Sequence, residues 1–480
     1  MGTSGVRAAI VRPDGGVDHI HHRPTLPSTP SPGFVEFDAS ALSIAALDVA
    51  RQALAAAGGV AAVAAVGIAN QRSSTIVWDR ATGQPIGPGI GWQDLRTVGT
   101  CLMLQAQGIR LAPNASATKL AYLLDVYDYS RTRDLLFGTV DTWIVWQLTE
   151  GAAHVTDATN AGVTGLVRSD GSGWDPEILD VLRIPATMLP TIVDSSAEPG
   201  AAGWASALAP PDTLPITGIA GDQQASLVGQ GCTRPGLAKV TFGTGGMLDV
   251  CLDERPAFAY RGEGGCFPIA AWRRKGHLTW GIEAITLSAG TAVEWLRDDL
   301  GLIDTSAASE DVAAQCADSG GVYFVPALLG LGTPAWDFGA RGTLLGLTRG
   351  SGRAEVVRAV LEGVAHRGAD LLEAAETDAG RPVAALRVDG GMSANAVFVQ
   401  SLANACRRRI EVSAVLEATT LGAAYLAGMA VGIWADEEEV AEAWKPRAVI
   451  DPSGELDRDR WRAAVDRARA WIPELSTLSF

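Results

Sequence analysis

Cysteine is scarce in this chain: six in 480 residues, at positions 101, 232, 251, 266, 316 and 406, with no C-x-x-C pair and no histidine at metal-ligand spacing. That scarcity excludes a disulfide framework and a zinc site, and it makes a reducing cytoplasm the expected compartment. Basic residues are also short, 38 Lys and Arg against 54 Asp and Glu, for a formal charge of −16. An acidic surplus spread along the chain argues against nucleic acid or an anionic membrane as the main partner. An anionic ligand would have to be held by local N–H groups and a few Arg or Lys. Long apolar runs are missing too. The longest, Ala53 to Ala69, is mostly alanine and is broken by Gly58-Gly59, so it reads as a helix end, a turn and a strand over Ala62 to Ile68 rather than a membrane span. No secretory signal precedes Gly2. His19, His21 and His22 read as a solvated strand end rather than a metal site.

What the chain does have is glycine, 55 residues, and 47% hydrophobic residues. These fit a soluble α/β protein of two to three domains. Strand-like runs (Val6 to Val11, Ala62 to Ile68, Thr75 to Trp78) alternate with helical stretches (Ala41 to Ala57, Thr118 to Tyr127), the signature of sheet layers covered by helices. The second half alternates in the same way, with a strand over His277 to Ile285, a helix opening after Ser288-Ala289-Gly290, a buried strand at Val322 to Pro326 and a long packed helix over Arg353 to Glu376. A strand ends at Asp389-Gly390-Gly391, a helix follows over Ala394 to Ala405, and Arg458 to Trp471 reads as a surface-packed terminal helix. Pro- and Gly-rich loops lie at Pro24 to Gly33 and Glu198 to Pro215. The domain boundary falls near Gly229, giving domains 1–228 and 229–480, with a hinge expected there because few regular elements are predicted.

One short pattern occurs in both halves. Gly2-Thr3-Ser4-Gly5 runs into an apolar strand, and Gly243-Thr244-Gly245-Gly246 does the same. A Gly-Thr-x-Gly turn between strands exposes backbone N–H groups and a hydroxyl at one point, a way of holding phosphate without a Walker loop. Two ordinary Gly-rich hairpins would look the same, but one per half-chain suggests two similar domains clamping a nucleotide. The second copy is led in by Leu237 to Phe242, whereas only Met1 precedes the first. The repeat therefore predicts a missing strand, and a start placed downstream of the true one is the expectation; a chain impaired at this point is the alternative.

Asp222 follows a Gly turn in Ile219-Ala220-Gly221-Asp222-Gln223-Gln224-Ala225. Taken alone it reads as a helix N-cap. Between two phosphate turns it also fits a base that accepts the proton of an alcohol attacking a γ-phosphoryl group.

Asn70-Gln71-Arg72, Trp92-Gln93-Asp94, Ser116-Ala117-Thr118-Lys119-Leu120, Gly221-Asp222-Gln223-Gln224, Phe242-Gly243-Thr244-Gly245, Gly330-Leu331-Gly332-Thr333-Pro334, Ala340-Arg341-Gly342 and Asp389-Gly390-Gly391 occur in this order over nearly the whole chain. In them the sequence resembles the FGGY carbohydrate kinases, and within that family the motifs lie nearest the glycerol kinases. The resemblance implies two actin-like (ribonuclease H-like) domains with ATP and Mg2+ in the cleft between them. It implies a phosphotransferase acting on a primary hydroxyl of a small polyol or sugar, and a possible homo-oligomer. It makes Asp222 the catalytic base and puts Gln223 beside the substrate hydroxyls. Arg72 becomes the substrate-binding guanidinium, a fixed set of donors suited to vicinal hydroxyls, where its residues alone would also allow a surface ion pair. Trp92 becomes an aromatic wall of the pocket or simply core. Thr3, Ser4, Gly5 and Arg7 match the first phosphate turn, and Gly243, Thr244 and Gly245 the second. Gly290, Gly391 and Asn395 match nucleotide-holding positions, and Glu294 stands where the glycerol kinases present Gln. No protein metal ligand is assigned; Mg2+ is expected through the ATP phosphates.

Departures from the family pattern bear on the acceptor. Ser73 stands for a pocket Glu, Asn114 for a Tyr and Met247 for a Phe. Loss of a charge and of aromatic bulk predicts a roomier pocket and a substrate larger than glycerol, with glycerol itself as the alternative. Pro210-Pro211-Asp212-Thr213-Leu214-Pro215 replaces the glycine-rich basic loop that binds a sugar bisphosphate regulator, so regulation of that type is expected to be absent. The position of the family's first-strand Asp precedes Met1. A nucleotide-binding sensor or scaffold that no longer catalyses is the reading from another class.

Overall fold

A computed structural model describes residues 1–478 other than Ala209, Pro211, Asp253 and Leu416; of the segment expected to lack the regulator loop, Pro211 therefore lies outside the described residues. The first hairpin forms from Gly5–Val11 (β1) and Val17–Pro24 (β2), paired antiparallel. Asp38 caps the next helix, Ala39–Ala56 (α1), by accepting from Ser40 N and Ala41 N. Its buried residues Leu42, Ala45, Val49 and Ala53 recur at helical spacing on the face toward β1 and β2. The next strand, Val66–Asn70 (β3), starts later than the expected Ala62. Gly58 and Gly59, both at positive φ, turn the chain, and Val60–Ala62 closes as a 3-10 turn before the strand opens.

Ile76–Asp79 (β4) and Leu135–Gly138 (β5) pair antiparallel beside the helix Ser116–Tyr127 (α2). The half closes with Ile216–Gly221 (β6), which pairs parallel with β3, and the helix Asp222–Gly229 (α3).

The second half builds a seven-stranded sheet and a separate antiparallel pair, Tyr323–Val325 with Thr343–Leu345. Ala238–Phe242 (β7), Gly246–Cys251 (β8), Phe267–Arg274 (β9), His277–Thr286 (β10), Leu386–Asp389 (β11), Ile410–Ser413 (β12) and Pro446–Ile450 (β13) lie in the order β9-β10-β8-β7-β11-β12-β13. Helices Gly290–Asp298 (α4), Arg353–Ala379 (α5) and Ala396–Cys406 (α6) cover it, and Val357, Val360, Leu361, Val364 and Leu371 of α5 are in its core. In the first half the pairs β2-β1 and β3-β6 follow the same order as β10-β8 and β11-β12, but nothing among the described residues corresponds to β7. Met1 alone lies beside β3, donating its amine to the Ala69 carbonyl at 2.7 Å and accepting from Gln71 N at 2.7 Å.

The halves are joined by exchange of helices. Ala418–Ala430 (α7) of the second half packs on β3 and β6 of the first, while α3 packs on α7 and on β8 and β9. A Cβ on Gly229 would overlap the Ala418 carbonyl, and one on Gly422 the Ala225 carbonyl; glycine at both points permits the close crossing. The place expected to hold few regular elements is thus the end of a helix wedged against another. The helix Arg458–Ala468 (α8) packs one face on the body of the second half, as expected, but ends before the expected Trp471. Trp461 is fully buried and stacks on His366, and Arg458 reaches Asp370 at 2.6 Å. Burial, with Arg458 alongside, holds His366 neutral, its pKa down to about 3. His19, His21 and His22 lie on β2 with His19 and His22 exposed, as expected.

Candidate active site

Asn70 and Gly221 are register partners at the carboxyl ends of the parallel pair β3-β6, so the residues that follow them leave the sheet at one edge. Crevices at the carboxyl ends of parallel strands are where open α/β sheets hold ligands. Arg72 and Asp222 meet there, Arg72 Nε 3.5 Å from Asp222 Oδ1. Gly221 occupies the N-cap position, and Asp222 is the first residue of α3, accepting from Gln223 N at 2.9 Å. The positive end of the helix stabilises its charge. Its side chain is 32% exposed, partly sheltered in the cleft.

The second half supplies the other wall. Arg72 Nη2 lies 2.8 Å from Glu283 Oε2 on β10. Glu283 is the register partner of Asp249 on β8, and Asp249 that of Lys239 on β7, so three charges form a row across the sheet. Lys239 and Asp249 are fully buried and 2.6 Å apart, and Lys239 Nζ also donates to Gln223 Oε1 at 2.6 Å and Thr241 Oγ1 at 3.2 Å. Burial pushes the Glu283 carboxyl up to about 7; Arg72 pulls it down and Asp249 beside it adds to the rise. Motif reading missed Lys239, Asp249 and Glu283; the available signal was a single charge inside each of three apolar strands.

Of the other residues expected in the acceptor pocket, Trp92 is half-buried, its Nε1 donating to Thr3 Oγ1 at 3.1 Å, and Thr3 in turn donates to Gln71 Oε1 at 3.3 Å. Thr3, expected at the phosphate, is therefore tied to Trp92, the residue expected to wall the acceptor pocket. Lys119, quoted in a motif but given no role, is buried under this wall and donates to the carbonyls of Trp92 at 2.9 Å and Asn114 at 3.1 Å. Desolvation lowers its pKa to about 7, against the pull of Asp94. Asn114 is exposed. Ser73 is not presented to a substrate: it is buried at φ 61 and its hydroxyl donates to the Val163 carbonyl at 3.0 Å. Asp94 of the Trp-Gln-Asp motif is a structural clamp, holding Val35 N at 2.6 Å and Arg96 through both of its oxygens.

At the second Gly-Thr turn, the Gly243 carbonyl accepts from Gly290 N at 2.8 Å and the Thr244 carbonyl from Ala289 N at 2.9 Å. The turn and the start of α4 are one unit. Gly243 and Thr244 are exposed, and the space a Cβ would take at Gly243 and at Gly391 is open, so a phosphate or a nucleotide can approach the backbone at both. Gly245 sits against the Thr286 carbonyl. Glu294 is exposed on α4. Asn395 serves the fold: its Oδ1 caps α6 at Phe398 N and its Nδ2 donates to Ser309 Oγ at 3.0 Å. At the first turn, Ser4 is exposed, Gly5 opens β1, and Arg7 is ion-paired with Glu417 just ahead of α7, linking the halves. Among the described residues no group of three or more His, Cys, Asp or Glu side chains could hold a metal ion, and no helix is long and apolar enough to cross a membrane. A cavity of about 660 Å³ between Arg80, His154 and Trp204 contains none of the expected site residues.

Comparison with known proteins gives the family and the fold. Residues 1–229 match the N-terminal domain, and residues 238–431 the C-terminal domain, of the FGGY family of carbohydrate kinases. The chain is 44% identical over 495 residues to a glycerol kinase of Trichlorobacter lovleyi and 42% identical over 492 residues to one of Aromatoleum aromaticum, covering 98% of each chain in both cases. Among solved structures it is similar to Plasmodium falciparum glycerol kinase with ADP, at TM-score 0.87 and 26% identity over all of both chains. It also shares its fold with a xylulose kinase of Brucella ovis, at TM-score 0.86 and 24% identity over 100% of this chain and 99% of that one.

Proposed function

We propose that this chain, which belongs to the FGGY family of carbohydrate kinases and is a kinase with an alcohol acceptor, transfers the γ-phosphoryl group of ATP to a primary hydroxyl of glycerol. The observation that carries the chemistry is the meeting of Asp222 and Arg72 at the carboxyl edge of β3-β6, faced by Glu283 of the other half. Phosphoryl transfer asks a protein mainly for positioning and charge neutralisation. Arg72, with Nε toward Asp222 and Nη2 toward Glu283, has Nη1 left to donate to vicinal hydroxyls. Asp222 takes the proton of the attacking hydroxyl. The Gly243-Thr244 turn and Gly391 offer open backbone to the nucleotide; Mg2+, for which no three-residue protein cage is present among the described residues, would be carried chiefly by the phosphates and neutralise their charge. A cytoplasmic setting, with ATP at hand, fits such an enzyme.

Glycerol is favoured by the 42–44% identical relatives over a larger acceptor. It is favoured also by Glu283, which returns a carboxylate to the pocket guanidinium although Ser73 does not. The competing reading, a larger polyol or sugar, rests on the turned-away Ser73 hydroxyl, the exposed Asn114 and Met247. A coupled ADP-release assay on glycerol, four- and five-carbon polyols and ketoses decides. The expected result is a higher kcat/KM on glycerol than on any longer acceptor; a longer acceptor in first place overturns glycerol, and no ADP release with any acceptor overturns kinase activity.

A further inference from the structure

We propose that Glu283, backed by Asp249, is a positioning residue for the acceptor site: it reaches from the second half across the cleft to fix the Arg72 guanidinium, so that the pocket is completed only by both halves. The inference rests on the reading of Arg72 as the acceptor-binding guanidinium. Arg72 stands on the loop after β3, where no regular element holds it, and its side chain is only 14% exposed. A long side chain kept out of water in a loop needs a fixed partner for its charge. Asp222 is a poor candidate, because at 3.5 Å it makes a loose contact and its oxygens are needed by the attacking hydroxyl. Glu283 at 2.8 Å is the closer partner, and it stands on a strand in the interior of the seven-stranded sheet. The fork of Arg72 is thereby oriented by Glu283 at Nη2 while its Nε faces Asp222.

Asp249 has a second effect. It is the cross-strand neighbour of Glu283, and Lys239 neutralises it from the far side at 2.6 Å. The charged and titratable groups facing Glu283 are thus Arg72 from the β3 loop, Asp222 at the start of α3, Asp249 from β8, Lys239 from β7 and Cys266 just ahead of β9. The Asp249 charge beside it adds to the upward push that burial gives the Glu283 carboxyl. When Glu283 takes up a proton, Arg72 loses its anchor, and acceptor binding weakens while the nucleotide turn, built on Gly243 and Gly290, is untouched.

The test compares Glu283→Gln, Asp249→Asn and Asp222→Asn in the full chain, with glycerol and ATP titrated separately. For Glu283→Gln, acceptor KM should rise by about tenfold or more, with ATP KM within about twofold of the parent, a split that a general loss of structure does not give. For Asp249→Asn, the acid limb of kcat/KM for the acceptor should move to lower pH by about one unit, because a like charge beside Glu283 has gone. Unchanged acceptor KM and pH profile in both variants, with Asp222→Asn inactive, overturns the positioning role and leaves the base assignment standing. An equal rise in both KM values also overturns it. Near-normal turnover in Asp222→Asn sinks the reading of the site beneath it. If Glu283→Gln does not fold, the acid limb of Asp249→Asn decides.

Discussion

The two halves of this molecule start from the same plan and hold their charged groups in different ways. In the second half seven strands form one sheet, and Lys239 and Asp249 sit in its middle, fully buried. In the first half the strands lie in separate pairs, and the candidate site residues Arg72 and Asp222 stand just beyond strand ends, 14% and 32% exposed. Groups at strand ends keep access to solvent and substrate and can be placed with few partners. Groups in mid-strand have no water, so each must be matched by register with an opposite charge or a shared proton. The second half presents a buried row of charges, and the first half places Arg72 and the candidate base Asp222 beside it.

This contrast gives unequal sensitivities. The largest effect is expected where a mid-strand charge loses its partner. Lys239→Met leaves Asp249 buried beside Glu283, and breaking such a pair costs about 3–5 kcal/mol, measured by denaturant unfolding; adding Asp249→Leu should recover most of it. A loss under about 1 kcal/mol, the range of exposed pairs, would erase the distinction between the halves.

A smaller effect is expected at Lys119, buried beneath the first half's acceptor wall. Its pKa is lowered to about 7 in the folded protein against 10.5 for an ordinary lysine. Between those values the unfolded chain holds the proton and the folded one does not, so stability rises with pH across that window. Lys119→Met should remove this rise, seen as parent-minus-variant stability from pH 7 to 10, and should raise acceptor KM by releasing the Trp92 and Asn114 carbonyls. A parallel pH dependence in both proteins contradicts the burial argument. The smallest effect is expected at Arg7–Glu417, a partly exposed pair between the halves. Glu417→Gln should cost less than about 1 kcal/mol and leave both KM values unchanged.

Much of this was legible in the sequence. The ordered motifs carried the family and brought Asp222 forward as the candidate base, and hydrophobic periodicity placed α1, α2, α5 and β10 within a few residues. The repeated Gly-Thr turn pointed to two similar halves, and the helix exchange at Gly229 and Gly422 shows how they are joined. What stayed hidden depends on register or on the direction of a side chain. Lys239, Asp249 and Glu283 lie far apart in the chain and become one row only when β7, β8 and β10 align. The Ser73 hydroxyl turns to Val163 because its backbone adopts φ 61, which no motif encodes. Asn395 matches a nucleotide position yet spends its amide on capping α6. Trp461 lies in a stretch that reads only as a surface-packed terminal helix, and its stacking partner His366 comes from a helix nearly a hundred residues earlier.

The most direct measurement is single-turnover phosphoryl transfer in Asp222→Asn alongside nucleotide affinity. Turnover should fall by about 10³-fold, within the usual range for loss of a general base, with ATP affinity unchanged because the Gly243-Thr244 turn is intact. Turnover within about tenfold of the parent would contradict the assignment of Asp222 as the group that takes the acceptor's proton.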